Sequence, residues 1–118
     1  MIDRREMPPL EASIWNFIRT HFLGVENAAP RGTVRVRYNL SHRADVGDRE
    51  FRDVIAQLVT VYKKPICTTP HRGYYVARTE AEKQEALHYL DSVLSEIADR
   101  RRALADTDPL ERQERLFP

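Results

Sequence analysis

The sequence contains little cysteine and no long apolar run, and these absences exclude several classes of protein. Its 118 residues include one cysteine, Cys67, which has no second thiol with which to form an internal disulfide. A single thiol is also too few for a zinc site built from cysteines. No run of about 18 apolar residues occurs, so no membrane span is predicted. The polar N-terminus lacks the apolar segment of a secretion signal, and we expect a cytoplasmic protein.

Residue patterns typical of enzymes are also missing. The four histidines, His21, His42, His71 and His88, do not have the spacing with which a helix presents two metal ligands. The four glycines form no glycine-rich loop that would bind phosphate. Cys67 lies in an apolar predicted strand, which favours a small buried side chain over a nucleophile. We expect a protein without catalytic activity, metal or cofactor.

Charge is distributed unevenly along a chain whose net charge is only +1. Residues 31–78 contain ten lysines and arginines against four aspartates and glutamates, whereas residues 79–118 contain six against ten. A basic middle segment is typical of contact with a polyanion such as nucleic acid. Random variation of charge on a solvated surface is the alternative interpretation.

The first half of the chain predicts helices and one short strand. Apolar residues recur at helical spacing from Leu10 to Phe22 and predict a first helix. The weak alternation of residues 33–36 predicts a short strand, and residues 37–43 predict a short helix. Asp48 is the predicted N-cap of a third helix, whose inward side chains recur at intervals of three and four. These inward side chains are Phe51, Val54, Ile55, Leu58 and Tyr62.

The second half predicts a β-hairpin and a long helix. Two β-branched or aromatic runs, residues 66–68 and 74–77, flank a connection that contains proline and glycine. Thr79 and Glu82 form a capping box at the start of the last helix. That helix carries an apolar stripe at heptad-like spacing. The stripe consists of Ala86, Leu90, Val93, Ile97 and Leu104, with Arg100 where it would continue.

This order of elements predicts a mainly helical fold with a small hairpin, the winged helix-turn-helix followed by a long C-terminal helix. In such a domain one face of the third helix enters the major groove, and the hairpin, or wing, reaches the flanking DNA. Pairing of the C-terminal helix between two chains predicts a homodimer, and packing on its own domain is the alternative. The predicted parts are an N-terminal tail (1–9), the winged-helix domain (10–78), the C-terminal helix (79–105) and a flexible tail (106–118).

Two motifs resemble those of winged-helix proteins carried by phages and prophages. Arg49-Glu50-Phe51-Arg52 is similar to the Arg-x-apolar-Arg start of their third helix. Pro65-Ile66-Cys67 with Gly73-Tyr74-Tyr75 resembles their wing, which is the more specific motif, and a long helix often follows it in that family. The resemblance covers about residues 33–100. It implies double-stranded DNA as the partner and a role in transcriptional regulation or phage replication.

Helix geometry and charge select the residues that would contact DNA. With the apolar face inward, the third helix turns Arg49, Arg52 and Gln57 outward, and these residue types read guanine and adenine. Basic residues around the hairpin would contact phosphates. The alternatives are ion pairing of the two arginines on a solvated face and a hairpin that serves only solubility. The predicted DNA-contacting residues are Arg37, Arg43, Arg49, Arg52, Gln57, Lys63, Lys64, His71 and Arg72.

The C-terminal segment Gln113-Glu114-Arg115-Leu116-Phe117 resembles the Gln-x-x-Leu-Phe peptide with which bacterial replication and repair proteins bind the sliding DNA clamp. In that interaction Gln113 would form a hydrogen bond, and Leu116 and Phe117 would fill an apolar cleft. Packing of these two apolar residues on a domain surface is the alternative. The tail and the long helix together favour a second class of function, a protein–protein adaptor.

Overall fold

The computed structural model describes residues 6–112 and has the predicted winged helix-turn-helix layout followed by a long C-terminal helix. Its elements are α1 (Pro9–His21), a 3-10 turn (Val25–Asn27), α2 (Arg31–His42), α3 (Asp48–Thr60), β1 (Ile66–Thr69), β2 (Gly73–Val76) and α4 (Glu80–Ala105). Two compact units meet inside α4, with the first ending at Ala86 and the second beginning at Leu87. None of the described helices is long and apolar enough to cross a membrane.

The main core lies between α1, α2, α3 and one face of the hairpin. The spacing of apolar residues in α1 and α3 predicted their inward faces correctly, since the side chains at those intervals are buried or, for Leu10 and Tyr62, half-buried against the core. Complete burial of an aliphatic or aromatic side chain contributes about 1.5–3 kcal/mol, so this small set accounts for much of the stability. The fully buried members are Ile14, Ile18, Phe22, Val34, Phe51 and Leu58.

The structure corrects the prediction for the second helix. Residues 33–36, predicted as a strand, and residues 37–43, predicted as a separate short helix, belong instead to the single helix α2, which ends at His42. Val34 and Tyr38 lie one turn apart on this helix, and both are buried against the core. Their burial outweighs the low helix propensity of the glycine and β-branched residues around them.

The segment between α1 and α2, and not residues 33–36, pairs with the hairpin in the manner of a strand. The backbone N–H of Gly24 donates to the carbonyl oxygen of Val76 at 2.8 Å, and the N–H of Val76 donates to that of Phe22 at 2.8 Å. Ala29 and Tyr74 exchange two backbone hydrogen bonds of 2.7 and 3.1 Å. These bonds cover the free edge of β2 and attach the hairpin to the helices.

The two faces of the hairpin pack on different parts of the first unit. β1 and β2 are antiparallel, with Ile66 opposite Val76, and these two side chains belong to the main core. Cys67 and Tyr75 point the other way and form a second cluster with Ala86 of α4. The hairpin is therefore held between the helical core and the first turns of α4.

Tyr74 and Tyr75 lie on opposite faces of the hairpin, as strand alternation predicts. Tyr74 is half-buried against the main core, whereas Tyr75 is fully buried. Burial, followed by the neighbouring Cys67, raises the pKa of Tyr75 to about 12. Burial also raises the pKa of the Cys67 thiol, and this residue is only 5% exposed, as predicted for a small buried side chain.

The start of α4 is capped almost as the sequence predicts. The backbone N–H of Glu82 donates to Oγ1 of Thr79 at 3.2 Å, which is the first half of a capping box. The carboxylate of Glu82 accepts from the backbone N–H of Arg78 at 3.0 Å, one residue earlier than in the standard arrangement. Both bonds satisfy backbone donors at the end of the wing and the beginning of the helix.

We expect Gly73→Ala to lower the free energy of unfolding by at least about 2 kcal/mol. Gly73 has a φ of +91°, and a Cβ at this position would collide with the carbonyl oxygen of Ala29. The substitution would therefore strain the hairpin turn and break its attachment to the preceding segment. Urea denaturation followed by circular dichroism measures the loss.

The matched control for this substitution is Gly32→Ala. A Cβ added to Gly32, on the exposed surface of α2, has no neighbour within 4 Å. Alanine is the better helix former, so the free energy of unfolding should stay constant or rise by less than about 1 kcal/mol. Equal losses in the two variants would contradict the role assigned to Gly73.

Candidate nucleic-acid interface

The turn that precedes α3 is closed by an amide side chain of α2. The side-chain Nδ2 of Asn39 donates to the carbonyl oxygen of Val46 at 3.1 Å. In return, Oδ1 of Asn39 accepts from the backbone N–H of Val46 at 3.0 Å. Val46 is only 6% exposed, so these bonds satisfy backbone groups that water would not reach easily.

Two arginines extend this contact along the same face of α2. Arg31, Arg35 and Asn39 recur at intervals of four and form a polar stripe on that face. Nη1 of Arg35 donates to the carbonyl oxygen of Val46 at 3.1 Å, and Nε of Arg31 donates to the carboxylate of Asp48 at 2.9 Å. The turn therefore runs back along α2 and brings the first turn of α3 close to Arg31.

The sequence predicted Asp48 as the N-cap of α3, but in the structure its carboxylate joins two arginines instead. Gly47 occupies the N-cap position without a side-chain cap, and Asp48 is the first helical residue. Its carboxylate binds Arg31 and lies 3.4 Å from Nε of Arg52. The hydrogen bond to Asp48 raises the pKa of the Arg31 guanidinium, which stays cationic. The carboxylate retains a favourable place at the positive end of the helix dipole.

The outward face of α3 is exposed, as helix geometry predicts. Arg49 and Gln57 are both accessible and lie about 12 Å apart along the helix axis. The alternative of ion pairing applies to Arg52, which contacts Asp48, but within residues 6–112 no carboxylate pairs with Arg49. Near the start of α3, the guanidinium of Arg52 is therefore paired with a carboxylate, whereas that of Arg49 has no such partner among the described residues.

Two of the predicted cations follow helix ends in an unusual backbone conformation. Arg43 ends α2 with a φ of +50°, and Lys63 follows α3 with a φ of +57°. Both side chains are exposed, and the described part of the chain provides neither with an ion-pair partner. Glycine adopts this left-handed conformation at lower cost, so a cation is held at both positions against the local preference.

The hairpin tip carries two of the predicted DNA-contacting residues, and one of them, Arg72, forms an ion pair within the protein. Nε of Arg72 donates to the carboxylate of Glu85 on α4 at 2.7 Å. His71 is exposed beside it and has no ion pair inside the described range. The sequence-based hypothesis of a basic wing is therefore modified by α4, because Glu85 compensates the charge of the wing arginine.

Arg37 and Lys64 pack against aromatic rings next to α1. The guanidinium of Arg37 lies 4.8 Å from the ring centre of Phe22, and the ammonium of Lys64 lies 5.4 Å from that of Trp15. Both are cation–π contacts. Helical geometry places Arg37 on the flank of α2 away from the polar stripe, so the structure does not bring it together with the α3 residues.

Sequence reasoning did not identify the residues that position this surface. Arg31, Arg35 and Asn39 share a face only if residues 31–42 form one helix, and the predicted strand hid that spacing. Nothing in the local sequence marks Glu85 as the partner of a hairpin arginine. The proposed clamp-binding residues Gln113, Leu116 and Phe117 lie outside the described residues. In the range 6–112 no group of three or more His, Cys, Asp or Glu side chains is placed to hold a metal ion.

The fold and this surface define a winged helix-turn-helix protein with an exposed third helix. Comparison of the chain with protein-family models, curated proteins and solved structures finds no match. Its function is therefore inferred from the geometry of α2, α3 and the hairpin, together with the sequence resemblance.

We expect Asn39→Ala to lower the free energy of unfolding by about 1–3 kcal/mol, because it leaves both backbone groups of Val46 without their side-chain partner. The measurement is chemical denaturation. Asn16→Ala is the control, since Asn16 is exposed on α1 and its side-chain amide makes no hydrogen bond within residues 6–112. Similar losses from the two substitutions would show that the turn does not depend on Asn39.

Proposed function

We propose that this protein binds double-stranded DNA, with α3 in the major groove and the hairpin against the flanking backbone. The observation that carries the proposal is the position of three accessible cations around α3. Arg43 lies in the turn before it, Arg49 in its first turn and Lys63 just after its end, and none of them has a carboxylate partner in the described structure. Such cations would bind phosphates and fix the helix in its groove.

The backbone at Arg43 and Lys63 supports a role outside folding. A left-handed conformation costs a residue with a side chain about 1–2 kcal/mol relative to the right-handed form, whereas glycine adopts it readily. A cation near a helix C-terminus recovers a part of this cost through the helix dipole. Contact with phosphate explains why both positions carry a long basic side chain instead of glycine.

The outward face of α3 combines groups suited to reading bases. Arg49 can bind guanine through two hydrogen bonds, and Gln57 can do the same with adenine. Glu50 and Asp53 are exposed on the same helix and would repel phosphates. Carboxylates accept hydrogen bonds from cytosine, so this mixture of charges favours contact with base edges rather than with the backbone.

The sequence resemblance supports a more specific role. The start of α3 and the wing motif resemble those of phage and prophage winged-helix proteins, and we propose a function in transcriptional regulation or phage replication. The protein would act in the cytoplasm without catalytic activity or cofactor, and a second copy of the chain would bind through α4. The clamp-like tail remains a prediction from the sequence alone.

Substituting glycine at the two left-handed positions tests DNA binding without endangering the fold. We expect Arg43→Gly and Lys63→Gly to leave thermal stability unchanged or higher, because glycine relieves backbone strain. Each should weaken binding several-fold and reduce the slope of log K against log salt by about one, since one phosphate contact is lost. Fluorescence anisotropy of a labelled duplex at several salt concentrations gives both quantities.

Arg19→Ala is the control for these variants. Arg19 is exposed on α1 and has no ion-pair partner among residues 6–112, so its removal changes net charge without touching the proposed surface. Its affinity and salt slope should equal those of the wild type. Absence of binding by the wild type even at low salt would overturn the proposal and favour the adaptor function of α4 and the tail.

The ion pair between Arg72 and Glu85 generates a separate prediction for the wing. Glu85→Gln releases the guanidinium from its carboxylate at 2.7 Å, and we expect DNA affinity to rise several-fold. Glu80→Gln is the control, because it removes the same charge from α4 while its own contacts are with Lys83 and Gln84. Equal gains in the two variants would mean that net charge alone controls affinity, and not the wing arginine.

A further inference from the structure

The second unit of the protein exposes a regular row of large apolar side chains on α4. Five leucine and isoleucine residues recur at intervals of three, four, three and seven, which is the a/d pattern of a coiled coil with one position replaced. The replaced position is Arg101. The exposed fractions are 42% for Leu87, 47% for Leu90, 66% for Leu94, 53% for Ile97 and 70% for Leu104.

This row differs from the stripe that the sequence predicted. Ala86 was the first member of that stripe, but it is 7% exposed and packs against Cys67 and Tyr75 in the first unit. It is therefore unavailable to a second chain. The row keeps Leu90, Ile97 and Leu104 of that stripe and replaces Ala86 and Val93 by Leu87 and Leu94. All of its side chains are accessible, and together they form the seam along which a second helix would pack.

The arginines near the end of α4 are not equivalent. Arg100 binds Glu96 at 3.2 Å, and Arg102 binds Asp99 at 3.2 Å, both within the helix. Arg101 lies between them in the apolar row, and within the described residues it has no ion-pair partner. A cation at a seam position needs an acidic group from the opposite helix, or it is desolvated without compensation.

We propose that the apolar row binds the same row of a second copy in antiparallel orientation, with Leu87 opposite Leu104. The inference rests on the proposed dimerisation and adds its direction and register. In this register Leu94 packs on Ile97 of the second copy. The same alignment places Arg101 opposite Leu90 of the second copy, next to Asp91, whose carboxylate supplies the missing partner.

A parallel arrangement brings together charges of the same sign. In that alignment Arg101 of one chain faces Arg101 of the other. Arg100 and Arg102 are paired with Glu96 and Asp99 of their own helix, so the two Arg101 guanidinium groups repel each other at a level where the a and d positions offer no carboxylate. The antiparallel orientation separates the two arginine clusters to opposite ends of the dimer.

Disulfide cross-linking in full-length protein distinguishes the orientations. Leu87→Cys and Leu104→Cys are prepared separately, mixed under reducing conditions and then transferred to a glutathione redox buffer, in which oxidised glutathione accepts the electrons of the two thiols. We expect a covalent dimer in the mixture and none with either variant alone. Wild-type protein controls for Cys67, which is buried.

Sedimentation velocity tests the same face without introduced thiols. Leu94→Asp should convert the dimer into a monomer, because it buries a carboxylate in the middle of the seam. Leu110→Asp is the matched control, since Leu110 is 68% exposed, nearly the same as Leu94, and lies outside the row. The control variant should sediment as the wild type does.

Each contrary result has a distinct meaning. Covalent dimers formed by each variant alone would overturn the antiparallel orientation while leaving the proposed dimer intact. A wild-type dimer without cross-linking in the mixture would overturn this register. A monomeric wild type would overturn both the inference and the proposed dimerisation, whereas DNA binding is judged separately by the duplex titration.

Discussion

The contact between Asn39 and Val46 is the interaction on which the placement of the third helix depends. A turn of five residues joins α2 to α3, and its backbone groups near Val46 are removed from water. One primary amide satisfies both the N–H and the carbonyl of that residue, which no charged side chain of similar size can do. Arg35 adds a second donor to the same carbonyl. These hydrogen bonds to the backbone of Val46 hold the turn and thereby set the direction of α3. The positions of Arg49 and Gln57 follow from that direction.

Periodicity predicted the elements that bury a regular row of side chains. α1, α3 and the hairpin have such rows, so the spacing of apolar residues and the turn chemistry were sufficient. α2 buries only Val34 and Tyr38, and its other residues have mixed propensity. Its helical state is decided by contacts with α1 and with the turn, which a local pattern does not contain. The polar stripe that supports the turn was hidden for the same reason, since its spacing has meaning only on a helix.

The candidate site was predictable in outline but not in its charge balance. Composition located the basic segment, yet several of its arginines are compensated by carboxylates far away in sequence. Arg31 binds Asp48, Arg72 binds Glu85, and Arg78 lies within 2.6 Å of a Glu26 oxygen. The pKa of Glu26 is lowered, first by a backbone hydrogen bond and then by this guanidinium. These pairings leave a smaller set of available cations around α3, so in the proposed complex the affinity for DNA would depend on a few positions rather than on total charge.

The contact of α4 with the hairpin and the proposed dimer surface lie on different faces of the helix. Its first turns complete the second cluster under the hairpin, where Ala86 meets Tyr75 and Glu85 meets Arg72. Leu87 follows immediately and begins the exposed apolar row, about 100° around the helix from Ala86. Consecutive residues therefore separate the contact with the wing from the proposed contact with a second chain, so the proposed dimer leaves the contact with the wing intact. Glu85, which pairs with the wing arginine, lies before the row, and Arg101, for which residues 6–112 provide no ion-pair partner, lies within it. The ion pair of the wing and the proposed dimer contact therefore use separate parts of one helix.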